Sequence, residues 1–172
     1  MDRYRNTRYH QGTFSGMMVM GIDPGLARLG YGVIRVDRGT AVPLCYGCLE
    51  TRAGARPGER LLEISRGLSS IFERYPPDAL AMEKLFFSKN ITSAMGVSEV
   101  RGIVLLAAEE RGIPVTEYTP NQVKQAVTGS GRADKVQVQQ MITRLLRLPE
   151  VPQPDDAADA LSIALCHIHI MR

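Results

Sequence analysis

A chain of 172 residues, 44% apolar and 23% charged, has room for one domain with a sizeable core and the make-up of an ordinary globular protein. No apolar run is long enough to span a bilayer; the densest, Ile103 to Ala108, reads as a core segment. Residues 1–16 hold Arg3, Arg5 and Arg8 against Asp2, which leaves only +1 of the net charge of +3 for the rest, so a nucleic-acid partner cannot be inferred from bulk charge and needs a local basic patch.

Residues 1–16 lack periodicity and precede a strong strand signal, so they read as a disordered N-terminal extension, with one folded domain over 17–172. Met17–Asp23 (MMVMGID) is a short apolar run that ends in the turn signal Asp-Pro-Gly. Leu29–Val36 is a second strand, Asp37-Arg38-Gly39 a tight turn and Ala41–Thr51 a third strand, which together predict an antiparallel meander. Over Pro57–Tyr75 the period changes to that of a helix: Leu61, Leu62, Ile64, Leu68, Ile71, Phe72 and Tyr75 share one stripe, and Pro76-Pro77 stops it. Asp78–Glu83 is a short buried strand and Lys84–Asn90 a loop. Thr92 or Ser93 is the expected cap of a long helix to Arg111, closed by Gly112.

Ile113–Tyr118 is a fifth strand, and Thr119-Pro120 opens a short helix. After the loop Gly129–Arg132, Asp134 caps a helix through Leu146, and a Pro-rich connection leads to a last helix from Asp155. Three meandering strands followed by alternating helices and strands predict an α/β fold, a five-stranded mixed sheet with helices on both faces, of ribonuclease-H-like type. Cys45 and Cys48 form a CxxC, with Cys166 near His167 and His169. Strand positions three apart face opposite sides, so small apolar cysteines of a cytoplasmic protein are a better reading than zinc ligands.

Carboxylates recur at the ends of apolar elements. Asp23 ends the first strand, Glu83 ends the fourth, and Asp156 and Asp159 lie three apart near the start of the last helix, on one face. Singly, each has an ordinary explanation as a turn acid, a cap or a partner of lysine. If the first and fourth strands are neighbours and the last helix packs beside them, all four converge. Such a cluster of like charges needs cations, and oxygen-only ligands suit Mg²⁺ or Mn²⁺. Two such ions about 4 Å apart can clamp both oxygens of a phosphodiester displacement, which points to metal-assisted phosphodiester hydrolysis.

Four segments, GIDPGLARLGYGVI (21–34), AMEKLFFSKN (81–90), TPNQVKQAVTGSGRADKVQVQQM (119–141) and DAADALSIALCH (156–167), resemble the bacterial RuvC-type Holliday-junction resolvases over essentially residues 18–170. The resemblance implies a homodimeric, cytoplasmic endodeoxyribonuclease that cuts opposed strands of a four-way DNA junction with two divalent ions per site, in recombination and repair. It implies a tetrad of Asp23, Glu83, Asp156 and Asp159, with Asp155 outside the motif as a cap or local acid. Some relatives carry His at the position of Asp156.

Lys124 and Lys135 correspond to the family's lysines near the scissile backbone, with Gly129, Gly131 and Arg132 between them as a candidate phosphate loop. Phe86 matches the aromatic that wedges or stacks at the junction centre; Phe87 is its neighbour, and Lys84 and Lys89 are basic flanks for the DNA backbone. The long helix after this loop, with Ala94, Gly96, Gly102 and Ala107-Ala108, is implied to contribute to the dimer interface, and the branch-migration proteins RuvA and RuvB are implied partners.

Two other functions use similar signals. Asp23–Gly30 resembles the phosphate hairpin of actin-like and sugar-kinase-like ATPases, whose fold needs two such domains where this chain has room for one. Related small ribonuclease-H-like nucleases acting on RNA share the short acidic motifs, but the Phe86 loop and the Lys124–Lys135 segment fit them less well.

Overall fold

The computed structural model describes residues 16–85 and 91–171. Chain order is β1 (Met17–Asp23), β2 (Arg28–Asp37), β3 (Thr40–Glu50), α1 (Pro57–Arg74), β4 (Ala79–Glu83), α2 (Ile91–Glu109), β5 (Val115–Tyr118), α3 (Pro120–Thr128), α4 (Lys135–Leu145) and α5 (Asp155–Ile170). The sheet runs β3-β2-β1-β4-β5, with β1, β2 and β3 antiparallel and β4 and β5 parallel to β1. The β2–β3 hairpin closes through Arg38 and Gly39, both at positive φ (48° and 81°), as a two-residue turn of that twist requires.

Alternation along the strands decides which helix each side chain meets. Met18, Met20 and Ile22 of β1, Leu29, Tyr31 and Val33 of β2, and Leu80 and Met82 of β4 pack with Ile64, Leu68 and Phe72 of α1 and Val100 and Val104 of α2. The intervening positions face α5, where Val19 and Ile34 meet Ala158, Leu161 and Leu165. Each fully buried aliphatic side chain in these layers contributes about 1.5–3 kcal/mol. Helices therefore cover both faces, as the pattern predicts.

Glycines let α5 lie directly on the sheet. A Cβ at Gly21 would stand 2.0 Å from the carbonyl oxygen of Ala160, and one at Gly30 would stand 2.1 Å from that of Asp156. No side chain fits in that space, so the backbone of α5 rests on the backbones of β1 and β2.

The expected caps divide. Thr119 Oγ1 accepts from Gln122 N–H, and Asp134 Oδ1 accepts from Gln137 N–H, each in a reciprocal capping box. Gly112 follows α2 at φ 65°, as a helix-ending glycine does. Thr92 and Ser93 do not cap α2; the helix already includes Ile91. Asp155 is not the cap of α5 either, since Pro154 occupies that position with no side-chain bond and Asp155 falls in the first turn. There the positive end of the helix favours an acid without a cap bond.

Candidate active site

The parity that sorts the core also places the acids. Asp23 follows Val19 and Gly21 on the face of β1 turned to α5, and Glu83 follows Ala79 and Ala81 on the same face of β4. β1 and β4 pair in parallel with Ile22 opposite Met82, so the two acids are neighbours at the C-terminal ends of two adjacent inner strands. Asp23 pairs across the hairpin with Gly30, and it is over Gly30 that the backbone of Asp156 lies. One helical turn then brings Asp159 to the same side.

Charge gathered at this place acts on Asp23, Glu83 and Asp159. Burial first, then the negative charges of Asp159, Glu83 and Asp156, push the Asp23 carboxyl from its ordinary 3.8 to about 7, against the pull of Lys135. Burial and then Asp159 raise Glu83, with Lys124 opposing. Burial raises Asp159 too, and the charge and hydrogen bond of Lys135 only partly offset it. A cluster in which ionisation is this unfavourable lacks positive charge.

Basic side chains supply some. Arg28 Nη1 donates to Asp156 Oδ2 at 3.2 Å. Lys135 Nζ, at the start of α4, lies 3.3 Å from Asp159 Oδ2 and 3.0 Å from Asp155 Oδ2. Asp155 also accepts from Gln139 Nε2 at 3.1 Å, and these bonds, first that from Lys135, hold its carboxyl below the ordinary range. Asp155 thus ties the first turns of α4 and α5 together.

The donor set is oxygen only, half-buried and short of positive charge, which fits hard divalent cations such as Mg²⁺ or Mn²⁺ better than zinc. Among the described residues no three ligating side chains surround one common point as they stand; Asp156 and Asp159 are engaged instead by Arg28 and Lys135. Cys45 packs among α1-facing residues, whereas Cys48 lies near Asp156 and Arg28, so the two face opposite sides of the sheet.

The remaining candidate residues are distributed as follows. Lys124, on α3, is close enough to Glu83 to bear on its ionisation. Lys84 is exposed, with its backbone N–H bonded to Tyr118 O at 2.8 Å. Arg132 does not join the carboxylates: with Ser130, Gln137 and Arg144 it lines a separate polar cleft of about 430 Å³. Phe86, Phe87 and Lys89 lie outside the described residues.

Two supporting arginines escape sequence reading. Arg28 sits inside the quoted DPGLARLG segment, but nothing local announces a partner 128 positions away. Arg101 of α2, only 11% exposed, donates to the Glu83 carbonyl at 2.7 Å and pairs with Glu117, which fixes the end of β4. A lone arginine on an apolar helix is the only signal for it.

The family model described as "Crossover junction endodeoxyribonuclease RuvC" matches residues 19–167. A protein of that description from Caldanaerobacter subterraneus subsp. tengcongensis is 51% identical over 153 residues, which cover 89% of this chain and 93% of that one. The structure of T. thermophilus RuvC in complex with a Holliday junction substrate superposes with a TM-score of 0.86 at 40% identity, over 91% of this chain and 95% of that one. The yeast mitochondrial Holliday junction resolvase, at 15% identity, TM-score 0.65 and coverage of 91% and 81%, shares the fold. A ribonuclease-H-like sheet, four acids gathered where β1 and β4 end beside α5, and matches of this extent make the chain a member of the RuvC family of crossover junction endodeoxyribonucleases.

Proposed function

We propose that the chain is an endonuclease that resolves four-way DNA junctions by paired, symmetric nicks in recombination and repair, in the bacterial cytoplasm. The observation that carries this reading is the convergence of Asp23, Glu83, Asp156 and Asp159 from two strands and one helix in a nuclease family. Asp23, Glu83, Asp156 and Asp159 would hold two divalent ions, Mg²⁺ or Mn²⁺, which would supply activation of the attacking water and charge stabilisation of the departing oxyanion. Lys124 and Lys135 are catalytic partners that meet the negative charge gathering on the scissile phosphate.

Phe86 stacks on a base at the junction centre with Phe87 beside it, while Lys84, Lys89, Lys124, Arg132 and Lys135 hold backbone phosphates. Two copies are needed for paired cuts, and α2 offers a surface for pairing: Met95, Gly102 and Leu106 share one exposed helical face. RuvA and RuvB, which move the branch point, are the partners this role implies.

The test is cleavage of a synthetic four-way junction, a linear duplex and an RNA–DNA hybrid, with and without Mg²⁺ or Mn²⁺. Symmetric nicks in the junction alone, only with the metal, are the expected result; equal cutting of the hybrid would assign the chain to RNA instead. Phe86→Ala is expected to reduce junction cleavage about tenfold while changing bulk DNA affinity about twofold, the loss of one stacking contact. Equal losses in both would make Phe86 a packing residue.

A further inference from the structure

Beside Asp156, on the side of α1 and α2, lies an open cleft of about 420 Å³ between the β1–β2 turn (Gly25 to Arg28), Arg60 of α1 and Gly96 of α2. Its two cations are Arg28 and Arg60. Arg60 is fixed in place: its Nε donates to Thr51 Oγ1 at 2.8 Å, and Thr51 Oγ1 donates to the Leu26 carbonyl at 2.7 Å. Arg60 lines the cleft, and its terminal nitrogens have no hydrogen-bond partner among the described residues, which leaves a planar pair of donors on a tethered side chain. Arg28, 48% exposed, spends one terminal nitrogen on Asp156.

A cleft with two guanidinium groups and a backbone turn as its wall suits an oxyanion that accepts paired hydrogen bonds, a carboxylate or a phosphate, and beside a nuclease site the phosphate of a nucleic-acid backbone is the one at hand. The cleft opens next to the carboxylates. A nucleic-acid strand held there carries further phosphates at every ~3.4 Å of helix axis. We infer that this cleft is a second phosphate subsite, in which Arg60, joined by Arg28, takes a backbone phosphate of the DNA strand next to the one held at the carboxylates. The inference rests on the proposed function for its ligand. The two arginines differ in availability: Arg60 is ready in the free protein, whereas Arg28 is released once the charge of Asp156 is neutralised.

The experiment measures binding of four-way junction and linear duplex DNA in EDTA, over a salt series from about 0.05 to 0.2 M. Arg60→Gln is expected to weaken binding about five- to tenfold and to flatten the slope of log affinity against log salt by about one, the signature of one lost phosphate contact. Arg60→Lys keeps most of the slope. Thr51→Val, which removes the tether but not the charge, keeps it too. Asp156→Asn steepens the slope by about one through freed Arg28, and adding Arg28→Gln returns it to the wild-type value.

An unchanged slope in Arg60→Gln, or an equal change in Thr51→Val, overturns the subsite and leaves Arg60 a structural role. Wild-type protein that binds duplex as tightly as junction counts against the proposed function, and the duplex series still judges the subsite. Protein that binds no DNA overturns both.

Discussion

Asp23 is the residue on which the folded state and the proposed chemistry make opposite demands. Its carboxyl titrates near 7 in the folded chain and near 3.9 in an unfolded one. Between those values the folded state binds the extra proton, so stability in EDTA falls as pH rises through that window. Glu83 and Asp159, both raised, add the same sign. Melting in EDTA at pH 5 and pH 7.5 is therefore expected to show wild type less stable at the higher pH. Asp23→Asn recovers on the order of 1–3 kcal/mol of the difference, discounted for solvent screening. The same variant is expected to lose at least about a hundredfold in cleavage rate, the scale of removing one group that stabilises transition-state charge, while junction binding by gel shift stays within about twofold of wild type.

Asp155→Ala tests a different contact. Its pair with Lys135 is half-exposed on both sides, so urea unfolding should change by less than about 0.5 kcal/mol, while cleavage falls severalfold because Lys135 loses one of its two anchors. The acids were legible in the sequence because Asp23 and Glu83 end apolar strands and Asp156 and Asp159 stand near the start of an otherwise apolar helix. Their cationic pairings were not: Arg28 meets Asp156 through space and leaves no local pattern, and Lys135, named from the family resemblance, carried no sign of its bonds to Asp155 and Asp159.

Among the elements, α5 has the least room for change. Gly30→Ala places a Cβ within 2.1 Å of the Asp156 carbonyl, a backbone atom that cannot rotate away. The helix must lift. A loss of about 2–4 kcal/mol in urea unfolding is expected, at the upper end for overpacking, together with loss of cleavage as Asp156 and Asp159 move from Asp23. Gly32→Ala, whose Cβ meets the Leu161 side chain at 2.8 Å and its backbone nitrogen only at 3.0 Å, should lose about 1–2 kcal/mol and keep more activity. The order and type of all ten elements could be read from period and turn residues. The start of α2 could not: Thr92 and Ser93 look like caps, but caps are defined by backbone geometry that side-chain identity only suggests. The close seat of α5 was also hidden, because Gly21, Gly30 and Gly32 look like turn or flexible positions in a sequence and become a contact surface only once a helix lies over them.

At the scale of the whole molecule, the sheet order β3-β2-β1-β4-β5 puts β1 and β4 side by side although α1 and two strands separate them in the chain. That single crossover brings Asp23 to Glu83 and leaves the cluster short of positive charge. Divalent ions should therefore stabilise the folded chain as ligands: Mg²⁺ or Mn²⁺ at about a hundred times its dissociation constant adds about 2.7 kcal/mol. In scanning calorimetry this appears as a rise in Tm that Asp23→Asn largely abolishes; the same rise in the variant would place the ions elsewhere.

The placement of α5 also has a consequence in time. A ribosome makes β1 through α4 before residues 155–170, and until α5 emerges the glycine surface of β1 and β2 is bare and two of the four acids do not exist. On the proposed roles of Asp156 and Asp159, no shorter length of the growing chain carries the whole cluster, and the helix that completes it also closes the second half of the core.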